Sequence, residues 1–184
     1  MLYKRWVQSN IPLKGFNLEY AHIDVKTELS YEEFHKNYYS IGRPVLIKGG
    51  TKQWKANTEW KREKLIEKYG EIAFDVNKKF YNEEKKKYKS IRMKLKEYFD
   101  YCDTNKDKNP LYVFDSKFGS VAPSMLDEYT RPHYFREDFF SVMGPHRPPY
   151  RWLVLGPQRS GSSFHIDPMN TSAWNALVCI IFYF

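Results

Sequence analysis

Cysteine is scarce in this chain. It has two among 184 residues, Cys102 and Cys179, too few and too far apart for the dense cross-linking of small secreted scaffolds. Long apolar runs are missing too. The longest, Ala176–Phe184, is well short of the roughly 20 residues that cross a bilayer. The opening MLYKRWVQSN has no apolar stretch behind its basic residues, so it does not read as a secretory signal. These shortages lead to an expectation of a soluble, intracellular protein with reduced thiols and no membrane span. Histidine is sparse as well, with five in the chain. None follows His165, and no lysine or arginine follows Arg159.

Apolar and aromatic material is plentiful. Hydrophobic residues make up 42% and aromatics 18%, enough for one substantial core in a chain of this length, so a single folding domain is expected. The formal net charge of +8 admits an acidic partner but says nothing of fold.

Residues 1–28 show little periodicity and read as an N-terminal arm with room for one short strand. The domain is placed at 29–184. In SYEEFHKNYYS, Ser30 and Glu33 stand at capping-box spacing, with Phe34 and Tyr38 on one helical face and His35 on the surface. PVLIKGG reads as a strand closed by glycines. TEWKREKLIEKYG reads as one helix, Ile72–Val76 as a strand, MKLKEYFDYCD (Met93–Asp103) as a helix and Leu111–Asp115 as a buried strand. Between them, the lysine-dense stretch 77–90 reads as a solvated hairpin or loop. The alternative is a nucleic-acid surface using Lys85, Lys86 and Lys87 on phosphates and neighbouring tyrosines for stacking. A short helix is expected near REDFFSVM. The last third offers YRWLVLG, SFHID and TSAWNALV as three strands joined by short links. Helices followed by antiparallel strands make an α+β arrangement, an open sheet or barrel with a site at its mouth.

The chemistry concentrates in GSSFHIDPMN. On a strand, His165 and Asp167 project from one face while Ile166 points away. An imidazole nitrogen and a carboxylate oxygen side by side are two corners of a coordination shell. With one more histidine they become the set that leaves three positions open on Fe(II). The same His-x-Asp pattern also describes an ordinary hydrogen-bonded pair.

RPPYRWLVLGPQRSGSSFHIDPMNTSAWNALV resembles the core of jumonji-C (JmjC) proteins, in particular the lysyl-hydroxylase group once described as a phosphatidylserine receptor. PVLIKGG, Trp54, TEWKREKLIEKYG, MKLKEYFDY and LYVFDSKFG stand upstream in the same order, so the likeness spans about residues 16–178. It implies a partial double-stranded β-helix (jelly-roll, cupin-like) with N-terminal helices. It also implies Fe(II) held by His165 and Asp167, and 2-oxoglutarate as co-substrate in a pocket lined by Tyr112, Ser162 and Asn175. At Ser162 the family pattern has threonine, so a hydroxyl is kept. The implied reaction is hydroxylation or demethylation of a protein side chain in the nucleus.

The pattern then departs from the family. There TSAWNALV leads into a Gly-x-Lys-x-Trp segment whose lysine pairs with the co-substrate, and the third iron-binding histidine follows further on. Here the sequence reads CIIFYF. The expectation is therefore a domain incomplete at its C-terminal end, with an exposed apolar edge and weak or absent turnover. His22, His35, His133 and His146 make poor substitutes, lying on a surface helix or in loops. A JmjC-like module that binds RNA or an acidic protein without catalysis is the alternative.

Overall fold

A computed structural model describes residues 23–178 apart from Phe164. Most of the expected N-terminal arm, with His22, lies outside the described residues, as do Cys179 and the apolar ending Ile180–Phe184.

Ser30 opens the first helix with a reciprocal cap. Its hydroxyl accepts from the Glu33 N–H at 3.1 Å, and the Glu33 carboxylate accepts from the Ser30 N–H at 3.0 Å. Helix α1, Tyr31–Phe34, runs directly into a π-helical turn, His35–Tyr39. This puts Phe34 and Tyr38 against Tyr134 in a small aromatic cluster and leaves His35 exposed. Strand β1, Asp24–Lys26, pairs in parallel with β2, Val45–Ile47. The arm thus contributes the one short strand expected of it.

TEWKREKLIEKYG is not one helix. It divides into α2, Ala56–Glu59, and α3, Arg62–Tyr69. Trp60 leaves helical geometry and Lys61 is extended. The Trp60 indole N–H instead donates to the buried carboxylate of Glu128 at 2.6 Å. A tertiary hydrogen bond has overruled local helix propensity here.

The main sheet has the order β4-β3-β5-β6, and every neighbouring pair is antiparallel. Its strands are β3, Ala73–Asn82, β4, Lys87–Lys94, β5, Val113–Asp115, and β6, Leu153–Leu155. The lysine-rich stretch forms the hairpin β3–β4, as its solvated reading requires. Lys85, Lys86 and Lys87 are all exposed, and Lys86 turns the chain at φ 45°. Met93 and Lys94, expected in the next helix, are drawn into the ladder opposite Phe74 and Ala73. Helix α4 therefore begins at Leu95 and runs to Thr104.

One face of the sheet is covered. Phe74, Val76, Val113 and Leu153 pack with Leu65 and Tyr69 of α3 and with Leu95, Tyr98 and Phe99 of α4. Phe118 from α5, Phe118–Val121, and Met125 from the following 3-10 turn, Pro123–Asp127, complete this core. Asp115 is the polar exception at 2% exposure, and its carboxylate accepts from the N–H groups of Asp75 at 2.9 Å and Lys117 at 2.5 Å. A buried carboxylate held by two backbone donors is satisfied without a cation. The expected short helix near REDFFSVM is a 3-10 segment, Phe139–His146. The α+β class stands, with helices packed on an antiparallel sheet.

SFHID and TSAWNALV differ from expectation. Outside Phe164, their described residues carry no strand assignment. Alternation of side chains permits a strand, but a strand exists only where a neighbour supplies its ladder.

Candidate functional site

Tyr112 enters the site region from the start of β5. Its N–H donates to the Asn77 side-chain oxygen at 3.0 Å, and its carbonyl accepts from the Asn77 N–H at 2.9 Å. Val113 and Asp115 are buried beneath the sheet, so pleating turns Phe114 to the opposite, open face. There its ring stacks on Trp152 at 6.0 Å and 17°, and meets the Tyr112 ring edge-on at 5.9 Å. Phe114 and Trp152 are each 44% exposed. The result is an aromatic face with solvent on one side.

After β6 the chain turns at Gly156. A side-chain carbon there would sit 2.0 Å from the Ser160 hydroxyl and 3.0 Å from Cβ of Tyr112. Glycine is needed because two segments approach too closely for any other residue. This approach brings Tyr112 beside the Pro157–Ser160 turn, which leads into Ser162. Tyr98 anchors the same corner from below. Its hydroxyl lies 3.1 Å from the carbonyl of Leu111 and 2.9 Å from that of Leu155, the residues before Tyr112 and Gly156. The helical spacing of MKLKEYFDY marks Tyr98 as core, but gives no sign that its hydroxyl ties two strands together.

His165 and Asp167 meet. Nε2 of His165 lies 3.2 Å from Oδ1 of Asp167, although the described residues of this segment form no ladder. On its other side the ring N–H at Nδ1 donates to the Ser163 carbonyl at 2.7 Å. Both ring nitrogens therefore face oxygen acceptors, whereas a neutral imidazole carries a single N–H. The arrangement calls for a second proton or another cation between Nε2 and the carboxylate. Accordingly, His165 is held above its usual pKa, first by the Ser163 carbonyl and then by Asp167. Just beyond, Met169 and Asn170 adopt φ 60° and 53° after Pro168, turning the chain sharply away. Left-handed backbone at two consecutive non-glycine residues is uncommon and marks a constrained turn.

The pair suits a metal in part. Divalent first-row ions hold nitrogen and oxygen donors at about 2.0–2.2 Å, so donors at right angles stand about 3 Å apart. The 3.2 Å separation of Nε2 and Oδ1 is close to that. A backbone carbonyl on the second ring nitrogen is also the usual support of a metal-bound histidine. Among the described residues, however, no group of three or more His, Cys, Asp or Glu side chains is placed to hold a metal ion. His133 and His146 are exposed in 3-10 segments and His35 is on its surface helix.

Ser162 and Asn175 are exposed. Asn175 follows Trp174, which anchors its segment by stacking on Phe135 at 5.5 Å and 7° and by meeting Trp54 at 6.2 Å. Of the five residues singled out from sequence, the structure joins His165 to Asp167 and sets Tyr112 beside the turn before Ser162. Among the described residues, no hydrogen bond, ion pair or ring contact joins Asn175 to them. Sequence reasoning missed the Ser163 carbonyl, which no residue type can announce, and the Trp54–Trp174–Phe135 contact.

The sequence pattern of the cupin-like domain family matches residues 31–181. The lysine-specific demethylase JMJ21 of Arabidopsis thaliana is 44% identical over 179 residues, covering 97% of this chain and 18% of the relative. The arginine-specific demethylase JMJ22 of the same plant is 39% identical, covering 96% of this chain and 33% of the relative. The bifunctional arginine demethylase and lysyl-hydroxylase psr-1 of Caenorhabditis elegans is 41% identical, with coverage of 82% and 37%. The chain thus spans from under a fifth to little more than a third of the length of these relatives.

Proposed function

This chain belongs to the cupin-like JmjC family, and on that premise we propose that it forms part of an Fe(II)- and 2-oxoglutarate-dependent oxygenase acting on protein side chains. The substrate class is lysine or arginine, free or methylated, and the outcome is hydroxylation or demethylation. The relatives' names, which cover lysine- and arginine-directed demethylation and lysyl hydroxylation, support that range. We take its domain to be residues 29–184 and its setting to be the nucleus.

The observation that carries the reading is His165 with both ring nitrogens on oxygen acceptors, one of them 3.2 Å away on Asp167. His165 and Asp167 supply two protein positions on the metal, with Ser163 fixing the imidazole so that Nε2 presents its lone pair. Bound Fe(II), with 2-oxoglutarate and dioxygen, would supply the oxidation of a substrate C–H bond. The phenol of Tyr112, the hydroxyl of Ser162 and the amide of Asn175 offer hydrogen bonds to a dicarboxylate. The open aromatic face of Phe114 and Trp152 beside Tyr112 supports a pocket wall of mixed apolar and polar character.

The test is anaerobic titration with Fe(II), followed by succinate formation from 2-oxoglutarate in a chain extended to the relatives' length. His165→Ala and Asp167→Ala should each abolish both signals while leaving the fold intact. Unchanged metal binding in both variants would sink the proposal.

A second reading rests on the β3–β4 turn, where Lys85, Lys86 and Lys87 stand exposed together near Tyr81. It assigns the hairpin to RNA or an acidic protein surface, without catalysis. Binding of single-stranded RNA should then weaken steeply with salt. It should also disappear when the three lysines become alanine.

A further inference from the structure

A cavity of about 340 Å³ lies between the turn after β2 and the segment Thr130–Tyr134. We propose that it binds a small phosphate monoester with a compact apolar body. Lys48 lines it on one segment, and Arg131 and His133 line it on the other. Among the described residues no aspartate or glutamate lines it. Arg131 meets Asp138 outside the lining at 3.9 Å, and that carboxylate forms a closer hydrogen-bonded pair with Arg147. Lys48 and Arg131, from separate segments, give a lining that contains no carboxylate of its own among the described residues a positive charge that favours anions.

Phosphate fits better than a carboxylate. Lys48 and Arg131 come from different segments, and Thr27 and Thr130 add hydroxyl-bearing residues to the same lining. A tetrahedral anion with three acceptor oxygens can address donors from several directions, whereas a carboxylate presents two oxygens in one plane. Ile47, Trp54 and Pro132 supply the apolar part of the wall. The volume lies within the range that encloses small ligands. Trp54 also meets Trp174, next to Asn175, so an occupant touches the wall that supports the segment carrying a proposed co-substrate residue. The assignment does not depend on that co-substrate.

Calorimetric titration at low salt tests it with two probes, phenyl phosphate and inorganic phosphate. Saturable binding is expected for both, with phenyl phosphate several-fold tighter because only it fills the apolar wall. Lys48→Ala and Arg131→Ala remove exposed side chains and should fold normally, which circular dichroism checks. Each should weaken phenyl phosphate about tenfold, the loss of one charge-assisted hydrogen bond. Removing the charges of Lys85, Lys86 and Lys87 should leave affinity unchanged. Absence of saturation, equal affinity for the two probes, unaltered binding in both cavity variants, or an equal loss in the hairpin variant would each overturn the proposal.

Discussion

Between Leu65 and Met125 the apolar side chains of three helices and three strands close over one another, and Phe74, Tyr98 and Met125 are fully buried. From Gly156 to Val178 the described residues of the same chain form no ladder, with Ile166 at 80% and Leu177 at 70% exposure. Yet the second region carries His165, Asp167, Ser162 and Asn175. The first region holds its shape through contacts made within itself. The second is held by a few anchors: Tyr98 under Leu155, Trp174 on Phe135, and Gly156 against Tyr112. Stability and proposed chemistry are thus separated along the chain, and substitutions should separate them in the same way.

The strongest way to break the packed region is Phe74→Ala. It empties a site with no solvent exposure and should cost about 3–5 kcal/mol, read as a fall in the midpoint of urea unfolding. Asp115→Ala comes next. It strands the buried N–H groups of Asp75 and Lys117, for about 2–4 kcal/mol, and Asp115→Asn should recover part of that because an amide keeps one acceptor oxygen. Tyr98→Phe sits on the boundary. Loss of the hydroxyl shared by Leu111 and Leu155 should cost about 1–2 kcal/mol. It should also shift the amide resonances of Tyr112 and Gly156, which a purely global destabilisation would leave in place. In the open region, His165→Ala should change stability by less than about 0.5 kcal/mol, since the ring is exposed. An effect there as large as that of Tyr98→Phe would remove the contrast.

What the sequence disclosed follows the same division. The Ser30–Glu33 cap, the strand at Val45, the lysine hairpin and the strand before Asp115 are governed by neighbours close in sequence or by simple alternation, and all were readable. The break at Trp60 was not, because it depends on Glu128, 68 residues away. Nor was the capture of Met93 and Lys94 by β3, where ladder pairing outweighs helical spacing. At the site, the residue types of His165 and Asp167 suggested a shared metal, and the structure sets them together. Their strand did not follow, since pairing depends on a partner that side-chain alternation cannot specify. Family resemblance supplied Tyr112, Ser162 and Asn175. Local pattern alone would have placed Tyr112 and Asn175 in ordinary packing.

Acid sharpens the comparison on the smallest scale. Glu59, at the end of α2, is drawn down to about 2 by hydrogen bonds from Lys64 and then Lys68. Lys68 also reaches Glu128 at 3.1 Å and so ties α3 to the segment below. A carboxylate with a lowered folded-state pKa binds fewer protons folded than unfolded, so its contribution is present above the ordinary glutamate pKa of 4.5 and fades as pH falls toward 2. Being solvent-screened, the effect is small and should shrink further in high salt. Carboxyl chemical shifts should show Glu59 titrating well below an ordinary glutamate, and Glu59→Gln should flatten the acid limb of stability across that interval without touching Fe(II) binding at His165. If metal binding fell together with the acid limb, the two regions would be coupled rather than separate.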